Sequence, residues 1–316
     1  MSVKLMIGDC TEKLRELPDQ SVNCCVTSPP YFGLRDYGVD GQLGAEASPK
    51  EYAQALTQVF REVWRVLRDD GTVWLNLGDS YNAYNGNRGE SKGSANSRHH
   101  DIMPSLPQGS GLTAGSLKNK DLMGTPWRVA FALQDDGWYL RQDIIWNKPN
   151  PMPESVTDRC TKAHEYVFLL SKSPRYYYDA EAVKEPGTGE APGNKHATKG
   201  GRSYADGDNK HRTAANLHNV KAAEKKNRRS VWRVSTKPYA GAHFATFPPA
   251  LVEPCILAGC PYGGTVLDPF AGSGTTGYVA DYLQRNAVLV ELNPDYAELI
   301  RERMASAGMF NPLEVA

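Results

Sequence analysis

The chain has 316 residues, enough for one large domain or one domain with an insert. Its 40% hydrophobic and 23% charged residues are those of a soluble globular protein, and 36 Lys and Arg cancel 36 Asp and Glu, which by itself argues against a nucleic-acid partner. Met1-Ser2-Val3-Lys4 lacks the layout of a signal peptide and no apolar run is long enough to span a membrane, so a cytoplasmic protein is expected. The six cysteines, Cys10, Cys24, Cys25, Cys160, Cys255 and Cys260, include no Cys-x-x-Cys pair and read as reduced thiols, with no metal site.

Val3–Ile7 is a short apolar strand, followed by Gly8-Asp9-Cys10 and an amphipathic helix over Thr11–Leu17. Asp9 lies at a strand's carboxyl end, where α/β folds bind ligands, or it caps that helix. Val22–Val26 is a buried β-branched strand that Pro29 and Pro30 must end, since neither donates a backbone hydrogen bond. The prolines hold the Ser28 hydroxyl and the Ser28 and Pro29 carbonyls rigid beside the flat ring of Tyr31. Rigid acceptors next to an aromatic platform suit a planar ring bearing an NH2 group, such as cytosine or adenine. The alternative is a proline-terminated strand with a core tyrosine. The glycines and aromatics of 32–38 predict a mobile loop in which Arg35 meets a phosphate or a neighbouring acid.

Ser48–Leu67 is a long amphipathic helix with Tyr52, Leu56, Val59, Val63, Val66 and Leu67 near one stripe, read as core packing with little chemistry. Thr72–Leu77 is a buried strand, and Asp79 beyond it is a site candidate or a loop cap. Residues 82–124 form an expected flexible loop rich in Gly, Ser and Asn. Its His99 and His100 have no carboxylate or cysteine at metal-ligand spacing. Pro126–Leu133 is helix, Trp138–Trp146 strand, and His164–Leu170 the last strand of this half, with Ser171–Tyr178 its hairpin partner or exit.

Between them, Lys148 stands in an extended Pro-rich segment. Between Lys184 and Lys237 there are thirteen Lys and Arg against five Asp and Glu, with little apolar content. A basic stripe in a neutral chain is the footprint of a polyanion. Lys225, Lys226, Arg228, Arg229 and Arg233, interleaved with Trp232, are the expected contacts to that polyanion; a solvated charge run is the plainer alternative.

The chain then returns to strand and helix. Thr265–Leu267, the turn Asp268-Pro269-Phe270-Ala271-Gly272-Ser273-Gly274 and a helix from Thr275 make a strand, glycine-rich turn and helix start. About twenty residues on, a second buried strand ends in Glu291, an acid suited to accept from both hydroxyls of a ribose. No third fingerprint glycine is present, nor a phosphate-cradling Gly-x-x-x-x-Gly-Lys loop. A last helix spans Pro294–Ala305, and 308–316 is an expected loose tail.

Ser28-Pro29-Pro30-Tyr31 and Asp268-Pro269-Phe270-Ala271-Gly272-Ser273-Gly274, in that order, resemble the permuted β group of the N4-cytosine/N6-adenine amino DNA methyltransferases. The resemblance covers roughly residues 3–81, 125–180 and 240–307. It implies a three-layer Rossmann-like α/β fold, a mostly parallel sheet with one antiparallel strand, and S-adenosyl-L-methionine as cofactor. Those three stretches are then the catalytic and cofactor-binding domain, and 181–239 a basic insert for target recognition. The resemblance assigns catalysis to Ser28, Pro29, Pro30 and Tyr31. It assigns the cofactor to Asp9, Thr246, Phe247, Asp268, Phe270, Gly272, Ser273, Gly274 and Glu291, and it carries a Trp-x-Lys-Pro segment in which Lys148 meets a phosphate or caps the strand.

The partner implied is double-stranded DNA with the target base flipped out. A homodimer and a cognate restriction endonuclease are further partners that it leaves open. Adenine and cytosine both remain as targets. Two rivals stand beside this reading: an enzyme of the same fold acting on RNA or a protein amide, and a DNA-binding module without activity.

Overall fold

The structure, a computed structural model, describes residues 1–34, 41–82, 117–187, 224–236, 247–306 and 313–315. Arg35, Thr246, His99 and His100, most of the expected 82–124 loop and most of the basic insert therefore lie outside the described residues. The chain divides into two compact units, residues 1–179 with 230–316, and residues 180–229.

The first unit alternates strand and helix. In chain order it comprises β1 (Val3–Ile7), α1 (Cys10–Arg15), β2 (Val22–Thr27), α2 (Pro49–Val66), β3 (Leu67–Leu77), α3 (Thr125–Asp135), β4 (Tyr139–Asn147) and β5 (His164–Ser171). In the second unit lie β6 (Glu185–Pro186) and β7 (Lys225–Lys226). The first unit resumes with β8 (Val231–Arg233), α4 (Pro249–Gly259), β9 (Thr265–Asp268), α5 (Thr275–Tyr282), β10 (Asn286–Glu291), α6 (Pro294–Ser306) and β11 (Leu313–Val315).

Among the described residues nine strands form one sheet in the order β11-β1-β10-β9-β2-β3-β5-β4-β8, and of these only β5 runs against its neighbours, β3 and β4. The expected fold, a mostly parallel sheet with one antiparallel strand, is the one present. Alternate residues of the parallel strands face opposite layers, as the pleat requires. Cys25, Val73, Leu75 and Leu267 join the core under α1, α2 and α3. On the other side α4 packs on β2 and β3, α5 on β9 and β10, and α6 on β1 and β10.

Helix starts are set locally. Ser48 accepts from the Glu51 amide at 3.2 Å and Pro49 opens α2 without losing a bond. Asp79 accepts from the amides of Gly124 and Thr125, both at 3.1 Å, so the loop-cap reading of Asp79 describes its contacts. Asp9 caps α1 through the Glu12 amide at 3.0 Å.

Two elements differ from expectation. Val231–Arg233 is an edge strand parallel to β4, and Trp232 is buried beside Trp74, ring centroids 6.2 Å apart. Trp232 therefore completes the scaffold rather than interleaving with charges against DNA. Leu313–Val315, expected as tail, pairs in parallel with β1. Residues 172–178 leave the sheet without forming a strand, the exit being one of the two expectations. Four cysteines are buried, Cys10 is half-buried and Cys160 exposed.

The register of β2 against β9 sets the position of the two motifs. Cys24 pairs with Val266 and Cys25 with Leu267. The proline turn after β2 and the glycine turn after β9 thus leave the same edge of the sheet side by side, although Thr27 and Asp268, which touch there, are 241 residues apart. Crevices at such carboxyl ends are where α/β sheets bind ligands.

Candidate active site

One cleft at this edge is lined by Gly8, Asp9 and Cys10 after β1, Ser28–Tyr31 after β2, Pro269–Ser273 after β9 and Glu291–Asn293 after β10. Leu43, Phe247 and Tyr296 complete its walls. Among the residues expected at the cofactor, Asp9, Phe247, Phe270, Gly272, Ser273 and Glu291 face this cleft.

Asp268 and Gly274 do not line it. Asp268 is fully buried and binds its own turn together: Oδ1 accepts from the Thr27 hydroxyl at 2.6 Å and the Phe270 amide at 3.1 Å, and Oδ2 from the Thr276 hydroxyl at 2.6 Å. Burial pushes its carboxyl up to about 6 against those bonds. It shapes the glycine turn from behind. Gly274 starts α5 at φ 74° with Ile300 3.0 Å from where a Cβ would stand. Behind the same turn Arg303 donates to the Ser273 hydroxyl at 2.7 Å and the Thr275 hydroxyl at 2.9 Å.

Gly272, at φ 52°, has no atom within 4 Å of the place a Cβ would take, so any side chain there would project into open cleft. Its amide donates to Glu291 Oε2 at 2.8 Å, and the Asn293 amide donates to Oε1 at 2.9 Å. Each oxygen keeps a further lone pair. Burial pushes the Glu291 carboxyl up to about 7. An acid with spare acceptors, a side-chain-free turn and apolar walls from Phe270, Leu292 and Phe247 fit a nucleoside bearing an aliphatic tail, such as S-adenosyl-L-methionine.

The proline turn is pinned by side chains. The Tyr52 hydroxyl donates to the Pro30 carbonyl at 2.7 Å. The Tyr31 hydroxyl lies 2.7 Å from Glu165 Oε2 and 3.1 Å from Asn76 Oδ1. Ser28 Oγ lies 3.3 Å from Asn76 Oδ1. Burial first, and Glu165 second, raise the Tyr31 phenol well above its ordinary range, so it stays protonated.

Tyr52, Asn76 and Glu165 escape a reading of the sequence alone. Tyr52 sits within the apolar stripe of α2, whereas its hydroxyl reaches the motif. Asn76 and Glu165 are polar interruptions of buried strands, a visible signal that does not name a partner.

Lys148 is turned inward, ion-paired with Glu165 and held over the Trp146 ring, 4.3 Å from its centroid. A phosphate contact and a strand cap are the two expectations for it, and in the structure its ammonium is taken up by Glu165. Arg233 is exposed on β8. Within the second unit Lys225 and Arg229 are exposed, and Glu185 pairs with Arg229 at 2.6 Å and Lys226 at 3.5 Å.

Sheet topology, glycine turn and paired acid define a methyltransferase that uses S-adenosyl-L-methionine, and the proline motif beside them is one for amino groups. A family model for DNA methylases of the N6/N4 type matches residues 22–302. This chain belongs to that family and is a site-specific DNA amino-methyltransferase. It is 49% identical over 304 residues to the Type II methyltransferase M.SmaI of Serratia marcescens, covering 96% of this chain and 91% of that one. The fold is similar to TTHA0409 from Thermus thermophilus, solved with S-adenosyl-L-methionine (TM-score 0.62, 24% identity, 99% of both chains). It is similar also to the cytosine-N4-specific PvuII DNA methyltransferase (TM-score 0.63, 18% identity, 99% of this chain and 95% of that one). Among the described residues no helix is long and apolar enough to cross a membrane.

Proposed function

We propose that this enzyme methylates adenine N6 or cytosine N4 on a base flipped out of duplex DNA, with Ser28 and Pro29 as the acceptors of the amino group. The observation that carries this reading is the meeting of Ser28–Tyr31 with Gly272 and Glu291 in one cleft. Bound S-adenosyl-L-methionine supplies an electrophilic methyl group on sulfur.

An exocyclic amino nitrogen is a poor nucleophile because its lone pair is delocalised into the ring. The Ser28 hydroxyl oxygen and the Pro29 carbonyl accept hydrogen bonds from its two N–H groups, favour a pyramidal nitrogen and free the lone pair for attack on the methyl carbon, after which the nitrogen sheds one proton to solvent. The Pro30 carbonyl is held by Tyr52, which leaves those two acceptors for the base. Tyr31 stacks on the base with its phenol tethered, so the platform cannot swing. Holding both reactants in place supplies much of the acceleration. No covalent enzyme intermediate is required.

The basic insert, 181–239, is the target-recognition region, with Lys225, Lys226, Arg228, Arg229, Arg233 and Arg35 on DNA. Support comes from the eight-charge surplus of residues 184–237 and from the separate compact unit, residues 180–229. The Glu185 pairs are no obstacle: an exposed ion pair contributes about 0.2–1 kcal/mol, and a phosphate displaces it. The Type II names of the relatives support a cognate restriction endonuclease as a partner, the family resemblance supports a homodimer, and the sequence's lack of a signal-peptide layout supports the cytoplasm.

The test is transfer from labelled S-adenosyl-L-methionine to unmethylated duplex DNA, followed by nucleoside analysis. N6-methyladenine or N4-methylcytosine is expected, and either result identifies the base. Label only in RNA or protein would overturn the DNA reading. Cofactor binding with no transfer to any substrate would point to the inactive binding module.

A further inference from the structure

Behind the proline motif lies a small buried network that the methyl-transfer chemistry does not itself require. Asn76 is 3% exposed. Its Nδ2 donates to the Tyr166 carbonyl at 3.0 Å and to Glu165 Oε2 at 3.2 Å. Both partners only accept, so the amide has one sensible orientation, with Oδ1 turned toward Ser28 and Tyr31. Glu165 Oε2 also takes the Tyr31 hydroxyl, and Oε1 is closed off by Lys148. Side-chain exposures of 13% for Glu165 and 19% for Lys148 leave little room for water to compete.

Hydrogen counting then constrains Ser28. A phenol has one proton, and the shorter contact to a carboxylate, 2.7 Å against 3.1 Å, claims it. Asn76 Oδ1 at 3.3 Å and the Tyr31 hydroxyl oxygen at 3.4 Å are left as acceptors for the Ser28 proton, both on the protein side. A serine hydroxyl ordinarily donates or accepts as its surroundings dictate. Here its proton points into the protein and its lone pairs point into the cleft. The 3.3 Å separation, long for a hydroxyl bond, leaves the group room to move toward a ligand.

We propose that Glu165, backed by Lys148 and acting through Tyr31 and Asn76, is a positioning residue that makes Ser28 an obligate acceptor. The inference rests on the reading of Ser28 as the acceptor of the target amino group. In that role a hydroxyl that turned its proton outward would meet an N–H with an O–H and orient the base wrongly. Glu165→Gln keeps the shape and breaks the polarity. A glutamine can face Lys148 or the Tyr31–Asn76 side with its oxygen, and its NH2 then faces a donor on the other.

A double-mutant cycle in single-turnover methyl transfer to cognate duplex DNA tests this, with S-adenosyl-L-methionine affinity measured separately by calorimetry. Glu165→Gln is expected to lower the transfer rate about 10- to 100-fold. Cofactor affinity should stay within about twofold, because neither Glu165, Lys148 nor Asn76 is among the residues lining the cleft. Combined with Ser28→Ala it should cost nothing beyond Ser28→Ala alone. Lys148→Met, which touches the network from its rim, should fall in the same direction by less and carries the test if Glu165→Gln does not fold. Multiplicative losses in the double variant, or a Glu165→Gln rate within about twofold of the parent, would overturn the proposal while Ser28→Ala still reports on the acceptor role. Full activity in Ser28→Ala would instead sink the reading beneath it.

Discussion

Two turns leave the same sheet edge and are built in opposite ways. The glycine turn after β9 works by what it lacks. Gly272 and Gly274 take positive φ, the Gly272 amide is spent on Glu291, and the turn leaves open space beside that carboxylate. The proline turn after β2 works by what it adds, a chain already stiff and then tethered by Tyr52, Asn76 and Glu165. A turn that only has to leave room beside a carboxylate can be open, because its amides already hold the turn and Glu291 in place. A turn that must set two acceptors on one nitrogen needs each atom held separately, and distant side chains do the holding.

The sharpest way to separate the two is Ser28→Ala. Removing one preorganised polar contact in a transition state costs about 10²- to 10³-fold in rate, so kcat should fall by that much with cofactor affinity unchanged. Loss of cofactor affinity instead would mean that the turns share one function. Gly272→Val should do the reverse. A β-branched side chain at φ 52°, filling open cleft, is expected to weaken cofactor binding about tenfold or more by calorimetry.

Tyr52→Phe probes the tethering itself. It leaves the Pro30 carbonyl without its partner, and about 1–3 kcal/mol of stability should be lost in denaturant titration. An unchanged midpoint would show that the prolines alone hold the turn.

The smallest effect is a pH dependence on the glycine side. Glu291 is raised to about 7 in the folded chain against 4.5 for an ordinary glutamate, and Asp268 to about 6 against 3.8. Between the ordinary and raised values the folded state binds more protons than the unfolded one. Stability from these acids is therefore full below about pH 4 and declines as pH rises through about 7. Thermal midpoints of the ligand-free enzyme should fall over that range, and Glu291→Gln should flatten the upper part.

The two turns are legible in unequal measure. Pro29, Pro30, Gly272 and Gly274 announce their own backbone geometry, and apolar runs at strand and helix spacing announce the sheet around them. What cannot be read is partnership. Tyr52 has the same place in an amphipathic stripe whether its hydroxyl is idle or bound to Pro30. Glu165 lies 134 residues from Tyr31, and nothing local to either reports that the sheet order brings β5 beside β3. Trp232 misleads for a related reason. Three residues of strand amid arginines look like a charged loop until β4 is there to pair with them.

The cysteines offer a use that none of this chemistry demands. Cys160 is exposed, Cys10 borders the cleft with its thiol pushed by burial up to about 12, and Cys24, Cys25, Cys255 and Cys260 are sealed in the core. A thiol reagent should therefore label one site at once. A second, slower site should be shielded whenever the cleft is filled, and the remaining four should react only when the sheet comes apart. The native chain thus carries three built-in clocks, for access, occupancy and global opening, readable by mass spectrometry without a single substitution.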